Sequence, residues 1–238
     1  MGDDIFDRQG TLDASRPPHP VSVAPFQLDV TEVTVDAYRR CVEDDACSPP
    51  AELRRQIQTE PHCSWYESNR GNHPVNCVSW HQAHAYCTWA GKQLPTEDMW
   101  EFAARGKAGR TFPWGKDVPG EIWGLPRDVH DRLQGGCRTS DPLARNHSDY
   151  DTIPVGCAPR GGTPEGVLDL AGNVMEWTAS PHCNYATKKC DETKRVIRGG
   201  TNDIHNRGWV IWSVVRWAAP PEDVTNLYGF RCARLDKP

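Results

Sequence analysis

"PVNCVSWHQAHAYCTWAGKQLPTEDMWEFAARG", Pro74 to Gly106, holds two helix-length segments, each with its own start and stop. In the first, Ser79 is an N-cap residue and Gln82, three residues on, closes a capping box. Gly91 supplies the left-handed residue that ends it. The spacing puts Ala83, Tyr86, Cys87 and Ala90 on one buried stripe. The second segment repeats this grammar: Thr96 caps it, Glu97 and Asp98 favour the positive end of the dipole, and Gly106 stops it.

On the N-terminal side, "RPPHPVSVAPFQLDVTEVT" (Arg16–Thr34) predicts a Pro-bounded strand region in which Val21, Val23, Phe26 and Leu28 alternate. A further helix is predicted from the cap Thr34, with Val35, Tyr38 and Val42 at helical spacing. Residues 43–76 are polar and Pro-rich and read as a long insertion loop. Pairs Cys41–Cys47 and Cys63–Cys77 could staple it, but spacing leaves the connectivity open. On the C-terminal side the chain is turn-rich from "RTFPWGKD" (Arg110–Asp117) to about Gly162. "VLDLAGNVMEWTAS" (Val167–Ser180), "RVIRGG" (Arg195–Gly200) and "YGFRCARL" (Tyr228–Leu235) then read as short strands between tight turns. The expected class is α+β, with helices early, short strands late and long loops between.

Composition narrows the possibilities. A chain of 238 residues suits one large domain or two small ones and can bury roughly 70–75% of its unfolded surface. Hydrophobic content is only 37%, against 20 Gly, 20 Pro and 10 Trp, which predicts a loop-rich domain with an aromatic core. A net charge of −5 argues against nucleic acid or an anionic membrane as partner. No run of 18 apolar residues could span a bilayer. The start, "MGDDIFDRQG", has neither a basic nor an apolar region, so no targeting segment is visible in this chain. The ten cysteines form an even set without a CxxC pair, which reads as disulfides in an oxidising compartment rather than a zinc site. An extracytoplasmic location (secreted, periplasmic or surface-attached) is therefore expected.

The Pro74–Gly106 stretch, followed in order by "PWG", "LDLAGNVMEWT", "RVIRGG" and "GFRCA", resembles the formylglycine-generating enzyme, or sulfatase-modifying factor, family. The resemblance runs from about Arg16 to Leu235. It implies a single C-type-lectin-like domain over residues 1–238, disulfide-stapled, with the first strand cut at Met1–Gly2. It also implies a disulfide between Cys87 and Cys232. A second family bridge would need cysteines near Ala104 and Val214, and both are absent together. The family's calcium turn, "N-x-x-G-N-A-W-E-W", falls on Asp169, Gly172, Val174 and Glu176, the middle two through their carbonyls, so structural Ca²⁺ is expected there. A second family calcium site is poorly matched: Asp149 and Asp151 are available, but "GEIWGLP" does not align with its partner segment.

The segment "RVIRGGTNDIHNRGWVIWSVVRW" (Arg195–Trp217) departs from that family. Active members carry two cysteines here, five residues apart, whose soft thiolates hold the copper(I) that activates O₂. The resemblance places them at Ile204 and Trp209, neither of which can ligate a metal. Thr201 stands for a serine, His205 for the family histidine, and Met175 for the first tryptophan of the calcium motif. No copper is expected, and formylglycine generation is not. Related sulfoxide synthases use iron held by a His-x-x-x-His-x-Glu set in an attached helical domain, which this chain lacks. His81 and His84 lie at i, i+3 on one helix and read as solvent-facing rather than as metal ligands.

The expected function is therefore that of a non-catalytic or catalytically diverged extracytoplasmic module binding a protein or small-molecule ligand. Its surface would comprise Thr201, Asn202, Asp203, His205, Asn206, Arg207, Trp209 and Trp212, which mix rigid aromatics with short hydrogen-bonding side chains. One alternative is the variable protein of a diversity-generating retroelement, with Thr201–Tyr228 hypervariable. Another is an oxidoreductase with altered metal chemistry around His205, Asp203 and Glu222. A third is an extracytoplasmic sensor or maturation module attached to a larger parent chain.

Overall fold

A computed structural model describes residues 15–50, 63–116, 152–200 and 212–236. Three helices come first. α1 (Val35–Glu43) is capped by Thr34, whose hydroxyl accepts from the Ala37 N–H at 3.1 Å. α2 (Trp80–Trp89) starts in the predicted capping box: the Gln82 N–H donates to the Ser79 hydroxyl, and the Ser79 N–H donates back to Gln82 Oε1 at 2.9 Å. Gly91 follows at φ 68°, a left-handed conformation that a side chain resists. Of its predicted stripe, Ala83, Tyr86 and Cys87 are buried and Ala90 is half-buried. α3 (Glu97–Arg105) is capped by Thr96.

The strands are β1 (Phe26–Leu28), β2 (Met175–Asn184), β3 (Lys189–Arg198), β4 (Arg216–Ala219), β5 (Tyr228–Gly229) and β6 (Ala233–Leu235). They form a four-stranded sheet of order β4-β3-β2-β5, with β5 parallel to β2, and a separate β1–β6 ribbon. Two strand expectations need correction. Only three residues of the Arg16–Thr34 region are strand, because Pro17, Pro18, Pro20 and Pro25 have no N–H to donate to a ladder. Val167–Val174 is not strand either: Asp169, Gly172 and Asn173 all hold positive φ, and β2 begins only at Met175. β2 and β3 instead make a longer hairpin than expected, with Cys183 and Cys190 opposite each other and disulfide-bonded near its tip.

The core gathers Tyr38, Tyr86, Leu94, Trp177, Ile197 and Phe230, with Tyr38 stacked on Tyr86 at 5.6 Å. Trp177 donates its indole N–H to the Val78 carbonyl at 3.0 Å, which joins β2 to the start of α2. Disulfides Cys41–Cys47 and Cys63–Cys77 flank the insertion, of which residues 51–62 lie outside the described residues. Cys87 on α2 is bonded to Cys232, with Cα atoms 5.6 Å apart. Among the described residues no cysteine is free and no helix is long and apolar enough to cross a membrane.

Candidate functional site

β3 and β4 frame the segment that the sequence singles out. Their antiparallel register sets Ile197 opposite Trp217 and Arg198 opposite Arg216, so the chain leaves the sheet after Arg198 and returns at Arg216. Two buried arginines facing each other would repel. α3 resolves this with Glu97 and Glu101, one turn apart on the same face. Arg216 grips Glu97 with both Nε and Nη2, each at 2.7 Å. Arg198 reaches Glu97 at 3.1 Å and Glu101 at 2.7 Å. Its Nη2 also donates to the Ser213 carbonyl at 2.7 Å, tying the two ends of the segment directly together. Burial pushes the Glu101 carboxyl up, but Arg198 and Arg105 hold it below the usual carboxylate range.

Gly199 holds φ 82°, and a Cβ there would meet the Trp100 ring at 3.4 Å and the Leu170 carbonyl at 3.5 Å, ordinary contact distances. Trp100 connects two regions. Arg198 lies over its ring at 5.3 Å, while its N–H donates to Glu176 Oε2 at 2.9 Å. Trp212, half-buried, packs with Phe112 and Ala171, so the returning end of the segment rests on the Asp169–Glu176 turn.

That turn also carries buried charge. Glu176 and Arg231 are both fully buried. Arg231 donates through Nε to Glu176 Oε2 at 2.8 Å and through Nη2 to Oε1 at 2.9 Å. Its remaining N–H groups go to the carbonyls of Asp29 and Val30, both at 3.0 Å, and Leu168 at 2.8 Å. A guanidinium has five N–H donors, and all five are spent. Asp169 accepts the Gly156 N–H at 2.6 Å. Glu32 is only 2% exposed, and neither of its carboxylate oxygens has a hydrogen-bond partner. Burial, then the neighbouring Asp169, pushes the Glu32 carboxyl well above its usual range; burial likewise raises Asp169.

The family model for the sulfatase-modifying factor enzyme 1-like domain matches residues 1–235. This chain belongs to that family. It is 31% identical to the formylglycine-generating enzyme of Streptomyces coelicolor, over 98% of this chain and 85% of that one. It is 29% identical to the inactive C-alpha-formylglycine-generating enzyme 2 of Mus musculus, over 98% and 82% respectively. Among solved structures, PvdO from Pseudomonas aeruginosa superposes with a TM-score of 0.69 at 25% identity, covering 98% of this chain and 88% of its own.

Within this sulfatase-modifying-factor domain, Thr201, Asn202, Asp203, His205, Asn206, Arg207 and Trp209 lie outside the described residues, as does Ile204; Trp212 is placed as above. No cysteine lies between Cys190 and Cys232, and both of those are disulfide-bonded. Glu222 pairs with His81 at the surface, 3.7 Å apart, and His84 stacks on Trp80. The calcium set fits in part. Asp169 and the carbonyls of Gly172 and Val174 are hard oxygens of the kind Ca²⁺ prefers. Glu176 accepts from Arg231 on both oxygens and from Trp100 on Oε2, and so is the counter-ion of Arg231. The acid with open oxygens is Glu32, outside the motif. Its sequence signal was a lone carboxylate inside "VTEVTV", where the flanking Val33 and Val35 are buried. The Glu97–Arg198–Arg216 base had no comparable signal, because its members are distant in sequence.

Proposed function

We propose that this chain is a non-catalytic sulfatase-modifying-factor domain acting outside the cytoplasm, which binds a protein or small-molecule ligand through the surface of residues 201–212. One observation carries this reading: from Asp191 to Arg231 the sequence holds no cysteine and no methionine, and the positions of the family's copper pair are taken by Ile204 and Trp209. Copper(I) selects soft thiolates, and sulfurs already joined in disulfides are not thiolates. The likeness to a relative named inactive supports the same view, while likeness to active relatives speaks for the scaffold. The disulfides support an oxidising compartment. For binding, the supporting feature is a rigid base under a segment rich in Trp, Asn, His and Arg, residue types that give area and hydrogen bonds at low entropic cost.

The test is oxidation of a cysteine-containing peptide under air with added copper(I), beside an active formylglycine-generating enzyme as control. An aldehyde-reactive probe should label the control product alone. Turnover by this chain, or one equivalent of copper or iron in the purified protein, would refute the proposal.

A further inference from the structure

The disulfides differ in how far a second molecule can reach them. Cys41, Cys47, Cys63, Cys77, Cys87 and Cys232 are buried, and Cys157, also disulfide-bonded, is half-buried. Cys190 alone among the described cysteines is exposed, and its partner Cys183 is half-buried. Their bond lies near the tip of the β2–β3 hairpin, outside the core. It spans only 7 residues, against 145 for Cys87–Cys232. A cross-link that adds little to folding is, by linkage, one that folding protects little from reduction. Cys41–Cys47 is as short, at 6 residues, but both its cysteines are shut inside the core.

We infer that Cys183–Cys190 is a site of reversible thiol–disulfide exchange with a dithiol protein of the C-x-x-C oxidoreductase class. The partner's thiolate attacks the exposed Cys190 Sγ, the S–S bond breaks, and Cys183 leaves as a thiolate that takes up a proton. The partner's second thiol then displaces Cys190, which is released as a thiol. Two electrons and two protons pass to this chain, and the partner departs as a disulfide. Lys188 and Lys189, both exposed, precede the attacked cysteine and favour the approach of an anionic nucleophile. The hairpin should survive the opening, because its backbone does not depend on the sulfurs. His182 pairs with Asp191 and Asn184 with Lys189. The turn is held by the Lys188 N–H on the Asn184 carbonyl at 2.7 Å and the Thr187 N–H on Asn184 Oδ1 at 2.9 Å. The two thiols thus stay opposed and can close again. The Cys183 carbonyl also accepts Arg216 Nη1 at 2.8 Å, so the exchange site adjoins the arginine that grips Glu97. The inference is independent of the non-catalytic reading, since no residue of the 201–212 surface takes part.

The test mixes the intact oxidised chain at neutral pH with a C-x-x-C oxidoreductase whose second cysteine is replaced by Ser, which traps the mixed disulfide. Peptide mapping by mass spectrometry should place one adduct, at Cys190, on a chain whose circular dichroism is unchanged. In parallel, dithiothreitol is added in graded amounts and the freed thiols are alkylated. Cys183 and Cys190 should be labelled at least about tenfold faster than the buried pairs, and removing the reductant should restore their bond. No adduct, or an adduct at any other cysteine, would overturn the inference. So would labelling of all pairs together, or opening of Cys183–Cys190 only where the chain unfolds.

Discussion

Arg198 and Arg216 face each other across β3 and β4 and share one carboxylate, Glu97, which Arg198 meets at 3.1 Å and Arg216 at 2.7 Å with two nitrogens. Two like charges in directly opposed positions are stable only because α3 sets an acid between them. The sheet, the helix and both ends of the 199–215 segment are thereby locked to a single side chain.

Removing that carboxylate leaves two buried arginines opposed. Glu97→Gln should cost about 3–5 kcal/mol, the range for breaking a buried pair from one side. Glu101→Gln should cost less, since Glu101 is 31% exposed and Arg198 keeps Glu97. Urea denaturation of both variants checks the order. If Glu97→Gln is the milder change, the shared carboxylate is not what holds the base.

The same network predicts an acid limit. Glu101 is held below its usual range in the folded chain, so its contribution is fully present above the unfolded carboxylate's pKa, about 4.3. It is lost as pH falls through the lower folded value. Tm should therefore drop on acidification below that point, with a shallower drop for Glu101→Gln. Parallel acid limbs for the two proteins would exclude the assignment.

The disulfides should differ in worth. Cys87–Cys232 spans 145 residues and Cys183–Cys190 only 7. Loop-closure entropy gives about 5 kcal/mol for the first and about 2 kcal/mol for the second. Replacing both cysteines of each pair by Ala, and comparing urea midpoints, tests the ratio. Equal losses would mean that local packing, not chain entropy, sets the effect.

What could be read from the sequence follows the range of the physics involved. Caps are local: Thr34, Ser79–Gln82 and Thr96 all act within four residues, and all form their predicted bonds. The Cys87–Cys232 link is long-range and came from the family resemblance alone. The Val167–Val174 turn looked like strand because apolar Val167, Leu168 and Leu170 outweighed Asp169, Gly172 and Asn173 in the pattern. Glu97 and Arg231 carried no such local mark. A buried charge is recognisable only once its partners are known, and theirs lie 55 residues or more away in sequence.

Gly199 is expected to matter for its backbone conformation. A non-glycine residue at φ 82° bears about 1–2 kcal/mol of backbone strain, while its Cβ would meet Trp100 at 3.4 Å, an ordinary contact distance. Gly199→Ala should therefore destabilise by about that strain alone. Gly91→Ala has the same sign of φ and open space around the Cβ, so it should cost a similar amount by urea denaturation. A much larger loss at Gly199 would show that the packing there does not admit a methyl group.

Restoring two sulfurs should restore a copper site. Ile204→Cys combined with Trp209→Cys restores the five-residue spacing of thiolates between Gly200 and the β4 return, on a base already fixed by Glu97 and Arg198. Prepared anaerobically, the double variant should hold one copper(I) per chain against a competing chelator, and the parent none. Since soft thiolate donors select this ion, either single substitution should hold it far more weakly. Copper bound equally by the parent would show that the ion finds other donors, and the non-catalytic reading built on Ile204 and Trp209 would fall.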